Sequence, residues 1–207
     1  MSNYKDFVQD FPTRCRDVVM AFSKEAQRQD REVTLLLMAT TAGFVMPYER
    51  LREGEAIKQP PLDRPHFSEA AEQLKQELGK RIAESTLFQD AEWRGGPLRS
   101  AVGTPDEWPE CRNPRRLPPE TLVSDVVRYL RHGLAHGNVF TRADRSNHIS
   151  ELIFVCGGTL RNGKEMPLKF LLLSPRELRF FLDRWFKFVG DLRLPHWAVL
   201  EVIDHAA

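Results

Sequence analysis

The hydrophobic pattern of the chain is mainly helical, with apolar residues recurring every three or four positions. It predicts helices over residues 13–28 and 31–53, the second capped by Asp30. After a proline-rich break, a third helix is expected over residues 68–85, with Ser68 as its N-cap and an apolar stripe on one side. The first 85 residues are therefore expected to form packed helices.

The pattern is lost over residues 87–117, which contain several glycines and prolines together with Trp93 and Trp108. Two tryptophans are unusual in a solvated linker, so we expect an ordered loop. Proline is tolerated in the first turn of a helix, and Pro118 is therefore expected to open a fourth helix. That helix should end at Gly137, since glycine readily adopts the left-handed conformation that closes helices.

Residues 148–158 and 167–174 are rich in β-branched and large apolar side chains and read as strands. Between them lies Asn162-Gly163, a pair preferred where both central residues of a turn need positive φ. We therefore predict one antiparallel hairpin at about 148–173.

A fifth helix is predicted from Ser174, which has Glu177 three residues later in the pattern of a capping box. The helix should end near Gly190, and it carries an apolar face of Leu178, Phe181, Leu182, Trp185 and Phe188. No internal repeat or linker divides the chain. We expect a mainly α fold in a single domain over 1–207, with a helical core at about 13–137 and 174–190 and the hairpin inserted between.

Composition narrows the class of protein only slightly. Thirty basic and twenty-nine acidic residues among 207 leave a net charge of +1, so bulk charge indicates no particular partner. Three widely spaced cysteines favour a reduced intracellular protein. The start lacks the pattern of a signal peptide, and an uncharged run of about 16 residues in the second helix is short for a membrane span. We therefore expect a soluble cytoplasmic protein with no membrane partner.

The fourth helix has two distinct sides when it is drawn at about 100° per residue. An apolar stripe is formed by Val123, Val127, Leu130 and Leu134. The opposite side carries Asp125, Arg128, His132 and His136, and Arg131 lies between the two. Six histidines occur in the chain, and two of them are thus one helical turn apart beside arginines.

Several interpretations of this polar side remain open. It can be a solvated surface on which Asp125 pairs with Arg128. A shared metal ion is disfavoured, because the zinc-protease pattern needs glutamate after the first histidine and Gly133 stands there. Residues 158–164 match the spacing of a phosphate-binding P-loop, but Glu165 replaces its hydroxyl residue, so a hairpin turn is the better explanation. Cys156 has no evident base and is not expected to act as a nucleophile.

The stretch Arg131-His132-Gly133-Leu134-Ala135-His136-Gly137 resembles the Arg-x4-6-His motif of the HEPN superfamily, in which a polar residue follows the arginine and Ala-His-Gly is a frequent ending. The position of the motif, near the end of a late helix, also fits. The resemblance implies a helical bundle and, for many members, a ribonuclease that needs neither metal nor other cofactor and acts as a dimer. It implies a place in toxin–antitoxin or phage-defence systems, with RNA and an antitoxin protein as partners.

RNA carries its own nucleophile, so cleavage needs a base, an acid and a cation for the phosphate. The resemblance makes Arg131 the phosphate clamp and His136 the acid or base, while His132 orients RNA or shares proton transfer. Seven arginines lie between 112 and 145, against three acidic residues. Further substrate contacts are predicted at Arg128, Asn138, Arg115 and Arg116.

Arg131 and His136 are five residues apart, or about 140° around an ideal helix, which is poor geometry for one phosphate. A site shared by two copies of the helix resolves this, so we expect a homodimer through the motif helix. The alternative is a HEPN module that does not cleave and uses the same surface to bind RNA, a nucleotide or a protein.

Overall fold

The computed structural model describes residues 7–52, 68–157, 160–161 and 164–193, with backbone alone at Ser68 and at the two short pieces between 160 and 165. The fold is mainly helical with a small antiparallel sheet, as the hydrophobic pattern predicts. Among the described helices, none combines the length and apolar character that crossing a membrane requires.

The N-terminal part is built from α1 (Phe7–Arg28) and a second helical run. That run comprises α2 (Glu32–Thr40), a π-helical turn (Thr41–Val45) and α3 (Met46–Leu51), which confirms one long helix after residue 31. The predicted start of α1 at residue 13 is too late, because the chain is already helical at Phe7 and Pro12 lies inside the helix.

Asp30 does not cap α2. Its φ is +53°, so it is the left-handed residue that turns the chain after α1, a conformation that aspartate tolerates better than most residues. Arg31 occupies the N-cap position, and no side chain caps the helix. The predicted cap is therefore wrong, since the sequence pattern of a cap and that of a left-handed turn are similar.

The π-helical turn has a local explanation in Pro47. Proline has no N–H to donate, so the carbonyl of Gly43 loses the usual partner four residues later. The indole Nε1–H of Trp185 donates a hydrogen bond to that carbonyl over 2.9 Å. The irregular turn thereby fixes the second helical run against the C-terminal helix.

The third helix, α4, spans Ser68–Gly79 and is shorter than predicted. The side chain of Ser68, expected as its cap, lies outside the described residues. After Gly79 the chain bends, and Arg81 forms an isolated antiparallel bridge with Leu122. Ile82 N–H donates to the carbonyl of Thr121, and Val123 N–H donates to that of Lys80. This pairing holds residues 121–122 extended, so the motif helix begins at Val123 and not at Pro118.

Residues 87–117 form an ordered segment, as expected. It contains 3₁₀ turns at Thr86–Phe88 and Pro105–Glu107, the strand β1 (Arg94–Pro97) and the one-turn helix α5 (Pro109–Arg112). Trp93 and Trp108 are both buried. The sequence Arg-Gly-Gly-Pro has low strand propensity, so β1 depends on its pairing partner and was not predicted.

The sheet is larger than the single hairpin expected from the sequence. The predicted hairpin strands β3 (Ile149–Cys156) and β6 (Lys169–Leu173) are confirmed. With β2 (Val139–Ala143) and β1 they form an antiparallel sheet of strand order β1-β6-β3-β2. The additional edge strands are β1 and β2. Within the hairpin, β4 (Leu160–Arg161) pairs with β5 (Lys164–Glu165), and the predicted turn residues 162 and 163 lie outside the described residues.

The two faces of the sheet contact different cores, because successive side chains of a strand point to opposite faces. Leu152, Phe154 and Leu171 face the helices and belong to the main core. Ile153, Val155 and Phe170 face the other way and pack against residues of the 98–111 segment. The sheet is therefore buried on both sides.

The C-terminal helix α7 (Pro175–Gly190) begins with the predicted capping box. Glu177 N–H donates to Ser174 Oγ at 3.2 Å, and the Glu177 carboxylate accepts from Ser174 N–H at 2.7 Å. The predicted apolar face is buried from Leu178 to Trp185 and packs in the main core.

Candidate active site on the motif helix

The motif helix α6 spans Val123–His136 and packs on β3 and β6. The predicted apolar stripe is buried, at Val123, Val127, Leu130 and Leu134. On the other side, Arg128 and His136 are exposed and His132 is partly buried. The two sides predicted from the helical pattern are therefore present, and the motif lies where the helix leaves its core.

Two glycines set the position of the motif. A Cβ at Gly133 would meet the Cβ of Phe154 at 2.9 Å, so the glycine lets α6 approach β3 closely. Gly137 has φ +68° and ends the helix in the predicted left-handed conformation. His136 is therefore in the last turn, as expected.

The motif arginine is paired within its own chain. Arg131 Nε donates to Glu49 Oε1 over 2.6 Å, and the two side chains are only 27% and 31% exposed. Glu49 belongs to α3, so this contact connects the motif helix to the N-terminal helices. The helical wheel placed Arg131 at the edge of the core, and its partner in α3 could not be seen from the sequence.

Arg128 makes the local ion pair that the sequence allowed. Its Nη2 donates to Asp125 Oδ1 at 2.8 Å, and both side chains are close to half exposed. The guanidinium also lies over the ring of Tyr129, with its carbon 5.4 Å from the ring centre. The ring contact and the ion pair together hold Arg128 against the helix.

The two motif histidines are in ring contact. The centres of the His132 and His136 imidazoles are 4.5 Å apart, with an angle of 48° between the planes. Burial lowers the pKa of His132, and the neighbouring His136 and Arg131 lower it further, while the backbone at Val155 acts in the opposite direction. Nδ1 of His132 is buried without a hydrogen-bond partner among the described residues. His132 is thus driven towards its neutral form.

A cavity of about 260 Å³ opens beside the motif. We call it the motif cavity. Its lining is Tyr48, Arg52, Arg128, Tyr129, Arg131, His132, Cys156, Gly157, Met166, Pro167 and Lys169. Four of these side chains are cations and, among the described lining residues, none is a carboxylate. The electrostatics of the cavity favour an anion.

Arg52, Lys169, Tyr48 and Cys156 were not among the residues predicted for the site. Arg52 follows α3, and Lys169 is the first residue of β6, so chain folding brings both to the motif from distant positions. One sequence signal was present: Lys169 is the single charge in the apolar run 167–173. Charge in a strand that is otherwise apolar marks a position with a special environment.

Three predicted substrate contacts lie away from the motif cavity. Asn138 uses its backbone to join the end of α6 to β3, donating to Gly133 O and accepting from Val155 N–H. Arg115 and Arg116 lie next to the outer edge of β1. Arg116 lines a separate cavity of about 580 Å³ together with residues 82–86, 88–91 and 93. None of the three residues therefore lines the motif cavity, although Asn138 contacts the motif helix through its backbone.

The other interpretations considered for the sequence involve neighbouring residues. In the part of the chain that the structure describes, no group of three or more histidine, cysteine or acidic side chains is placed to bind a metal. The P-loop-like stretch pairs as two short antiparallel strands, which fits a hairpin, although its residues 158, 159, 162 and 163 are outside the description. Burial raises the pKa of Cys156, opposed by Arg128, Lys169 and Arg131, so its thiol is not activated.

The fold and the motif define a HEPN-type helical domain with a sheet insertion. Comparison with known families agrees, because the sequence model described as HEPN pEK499 p136 matches residues 1–191. The chain belongs to this HEPN family. No curated protein and no solved structure matches the chain.

Proposed function

We propose that the protein is a metal-independent endoribonuclease of the HEPN type, acting in toxin–antitoxin or phage defence. The observation that carries the proposal is the contact between the His132 and His136 imidazoles next to a cavity lined by cations. Histidine is the side chain whose ordinary pKa lies nearest to neutral, and two histidines in different environments are suited to opposite proton transfers.

The chemistry follows from these environments. Burial lowers the pKa of His132 and so favours its neutral form, which accepts the proton of the ribose 2′-OH, whose oxygen then forms a bond to phosphorus. The bond from phosphorus to the 5′-oxygen breaks, and His136, which is exposed, gives that oxygen a proton. Arg131 stabilises the charge on the pentacoordinate phosphate. The products are a 2′,3′-cyclic phosphate and a 5′-hydroxyl.

A homodimer through α6 is part of the proposal. Arg131 points to Glu49 of α3, whereas His136 is exposed at the end of the helix, which agrees with the wide angle between them. A second copy would bring the His136 of one chain towards the Arg131 of the other. Light scattering at micromolar concentration should give the mass of a dimer, and a monomer would count against this arrangement.

The test of the activity is incubation of the pure protein with total RNA in EDTA. Cleavage should produce fragments ending in 2′,3′-cyclic phosphate, and His136→Ala should reduce the rate by about 10²–10⁴-fold, the usual loss for a general acid or base. His148→Ala is the matched control, because His148 is an exposed histidine in the turn between β2 and β3. If His136→Ala keeps the full rate of the parent protein, the nuclease proposal fails.

A binding module without cleavage is the second candidate. The observation that favours it is the ion pair between Arg131 and Glu49, since a phosphate has to compete with a carboxylate for the motif arginine. This candidate predicts RNA binding without fragments. The same incubation separates the two, with binding followed by filter retention.

A further inference from the structure

We infer that the motif cavity holds a second phosphate of the RNA, next to the one that is cleaved, and that Lys169 is its main ligand. The inference rests on the proposed function and adds a residue from the sheet insertion to the substrate site. It makes the substrate a single strand that runs from the motif helix onto β6.

The balance of charge in the cavity is the first argument. Four cations line it, namely Arg52, Arg128, Arg131 and Lys169. Among the residues that the structure describes, two carboxylates pair with these cations from outside the cavity. Asp125 pairs with Arg128, and Glu49 pairs with Arg131 and lies 4.0 Å from Arg52. Two positive charges are left over, and one phosphodiester supplies only one negative charge. An adjacent phosphate supplies the other.

Lys169 has no carboxylate partner in the described part of the chain and is available for this role. Among the described residues, no carboxylate oxygen lies within 4.0 Å of its ammonium group, which instead lies over the ring of Tyr129, 5.6 Å from the ring centre. Arg128 lies over the same ring at 5.4 Å. The tyrosine thus holds two cations near each other without neutralising either.

The position of Lys169 is fixed by the sheet. It is the direct antiparallel partner of Cys156, and side chains on directly opposite residues lie on the same face. That is the face that packs against α6, because Phe154 and Leu171 on it belong to the main core. Lys169 therefore enters the cavity from the wall opposite the motif helix, and the Cys156 thiol beside it is a reporter of occupancy.

The experiment uses RNA that is 2′-O-methylated at every position, which binds but cannot be cleaved because the nucleophile is blocked. Its dissociation constant is measured by fluorescence anisotropy over a range of salt concentrations. Lys169→Gln should weaken binding about tenfold, as loss of a charged hydrogen bond does. It should also reduce the slope of log K against log salt by about 0.7, the value for one phosphate of a single strand.

The control variants separate charge from folding. Lys169→Arg keeps the charge and should bind like the parent protein. Lys187→Gln removes a lysine of α7 that is 77% exposed and paired with Asp191, and it should change neither affinity nor slope. All variants should melt within a few degrees of the parent, because Lys169 lies at a strand end and is not packed in either core.

Thiol modification then locates the bound RNA. N-ethylmaleimide labelling is followed by mass spectrometry on the peptides carrying Cys156 and Cys15, both half-buried, so that Cys15 in α1 serves as internal reference. RNA should slow labelling of Cys156 and leave Cys15 unchanged. Protection by millimolar AMP but not by RNA would assign the cavity to a free nucleotide and overturn the inference.

The remaining outcomes distinguish this inference from the proposed function. Suppose that unmodified RNA is cleaved, that Lys169→Gln binds RNA like Lys187→Gln, and that RNA does not protect Cys156. This result overturns the second phosphate site alone. Protection of Cys156 and weaker binding by Lys169→Gln without any cleavage of unmodified RNA supports the phosphate site and removes the nuclease. Absence of RNA binding overturns both.

Discussion

The two faces of the sheet each carry a group of basic side chains, and only one of them is suited to an anion. On the face towards the helices, the motif cavity has four cations and an imidazole, and the carboxylates paired with them in the described part of the chain lie outside its lining. On the other face, Arg94 and Arg142 enclose Glu151, a group that we call the sheet cluster. Arg142 also donates to the carbonyl of Cys111.

The comparison teaches that counts of arginine along a sequence do not locate an anion site. Arg142 is one of the seven arginines between 112 and 145, yet it is 19% exposed and bonded to a carboxylate that is 18% exposed. Lys169, outside that segment, has no such partner among the described residues. The two groups differ because both arginines of the sheet cluster contact Glu151, whereas the motif cavity has cations in excess of the carboxylates described around it.

The largest effect expected from this comparison is on catalysis. Arg131→Ala should reduce the rate of RNA cleavage by about 10²–10³-fold, because the positive charge that stabilises the phosphate in the transition state is lost. Arg142→Ala should leave the rate per folded molecule unchanged, because its guanidinium is engaged on the opposite face. The measurement is the initial rate of cleavage in EDTA. Equal losses in the two variants would break the distinction between the two faces.

The free energy of unfolding should fall more in Arg142→Ala than in Arg131→Ala, which is the opposite of the order expected for the cleavage rate. Arg142→Ala leaves the shielded Glu151 with Arg94 alone and removes a bond to Cys111 O, so unfolding should become easier by about 2 kcal/mol. Arg131→Ala breaks a pair that is about 30% exposed on each side and should cost about 1 kcal/mol. Urea denaturation of the two variants measures the difference, with Arg99→Ala, which has a 96% exposed side chain, as control. A more stable Arg142 variant would show that the sheet cluster is not structural.

The close contact between α6 and the sheet can be tested by adding one carbon atom at Gly133. Gly133→Ala places a Cβ 2.9 Å from that of Phe154, and moving the helix away should cost about 1–3 kcal/mol, offset by about 1 kcal/mol of helix propensity. Because Lys169 and Arg131 lie on the two sides of this contact, RNA binding should weaken as well. Gly190→Ala is the control, since its Cβ would meet no atom within 4 Å. Unchanged urea midpoint and affinity in Gly133→Ala would contradict the tight contact.

The helices and the location of the motif could be predicted because they depend on local patterns. The stripe from Val123 to Leu134, the glycine end at Gly137 and the Ser174 capping box are all visible in short stretches. The strand β1 and the start of α6 were missed, because hydrogen bonds to residues distant in sequence determine them. The contact of Arg131 with Glu49 and the position of Lys169 beside the motif also depend on tertiary structure, so they could not be predicted from local patterns.

The smallest expected effect, on the titration of His132, tests the electrostatics of the motif side. Burial first, then the charge of His136, lowers its pKa below the ordinary 6.5, so the folded protein prefers the neutral ring. The unfolded chain therefore binds the proton more readily than the folded protein. The contribution of His132 to the free energy of unfolding is complete above the pKa of the unfolded state, and it is lost as the pH falls through the pKa of the folded state. His136→Ala removes one cause and should raise the pKa of His132, while His148→Ala should leave it unchanged. NMR titration of the imidazole C–H signals measures the pKa in both variants, and a His132 pKa that stays the same without His136 would show that His136 does not contribute to the shift.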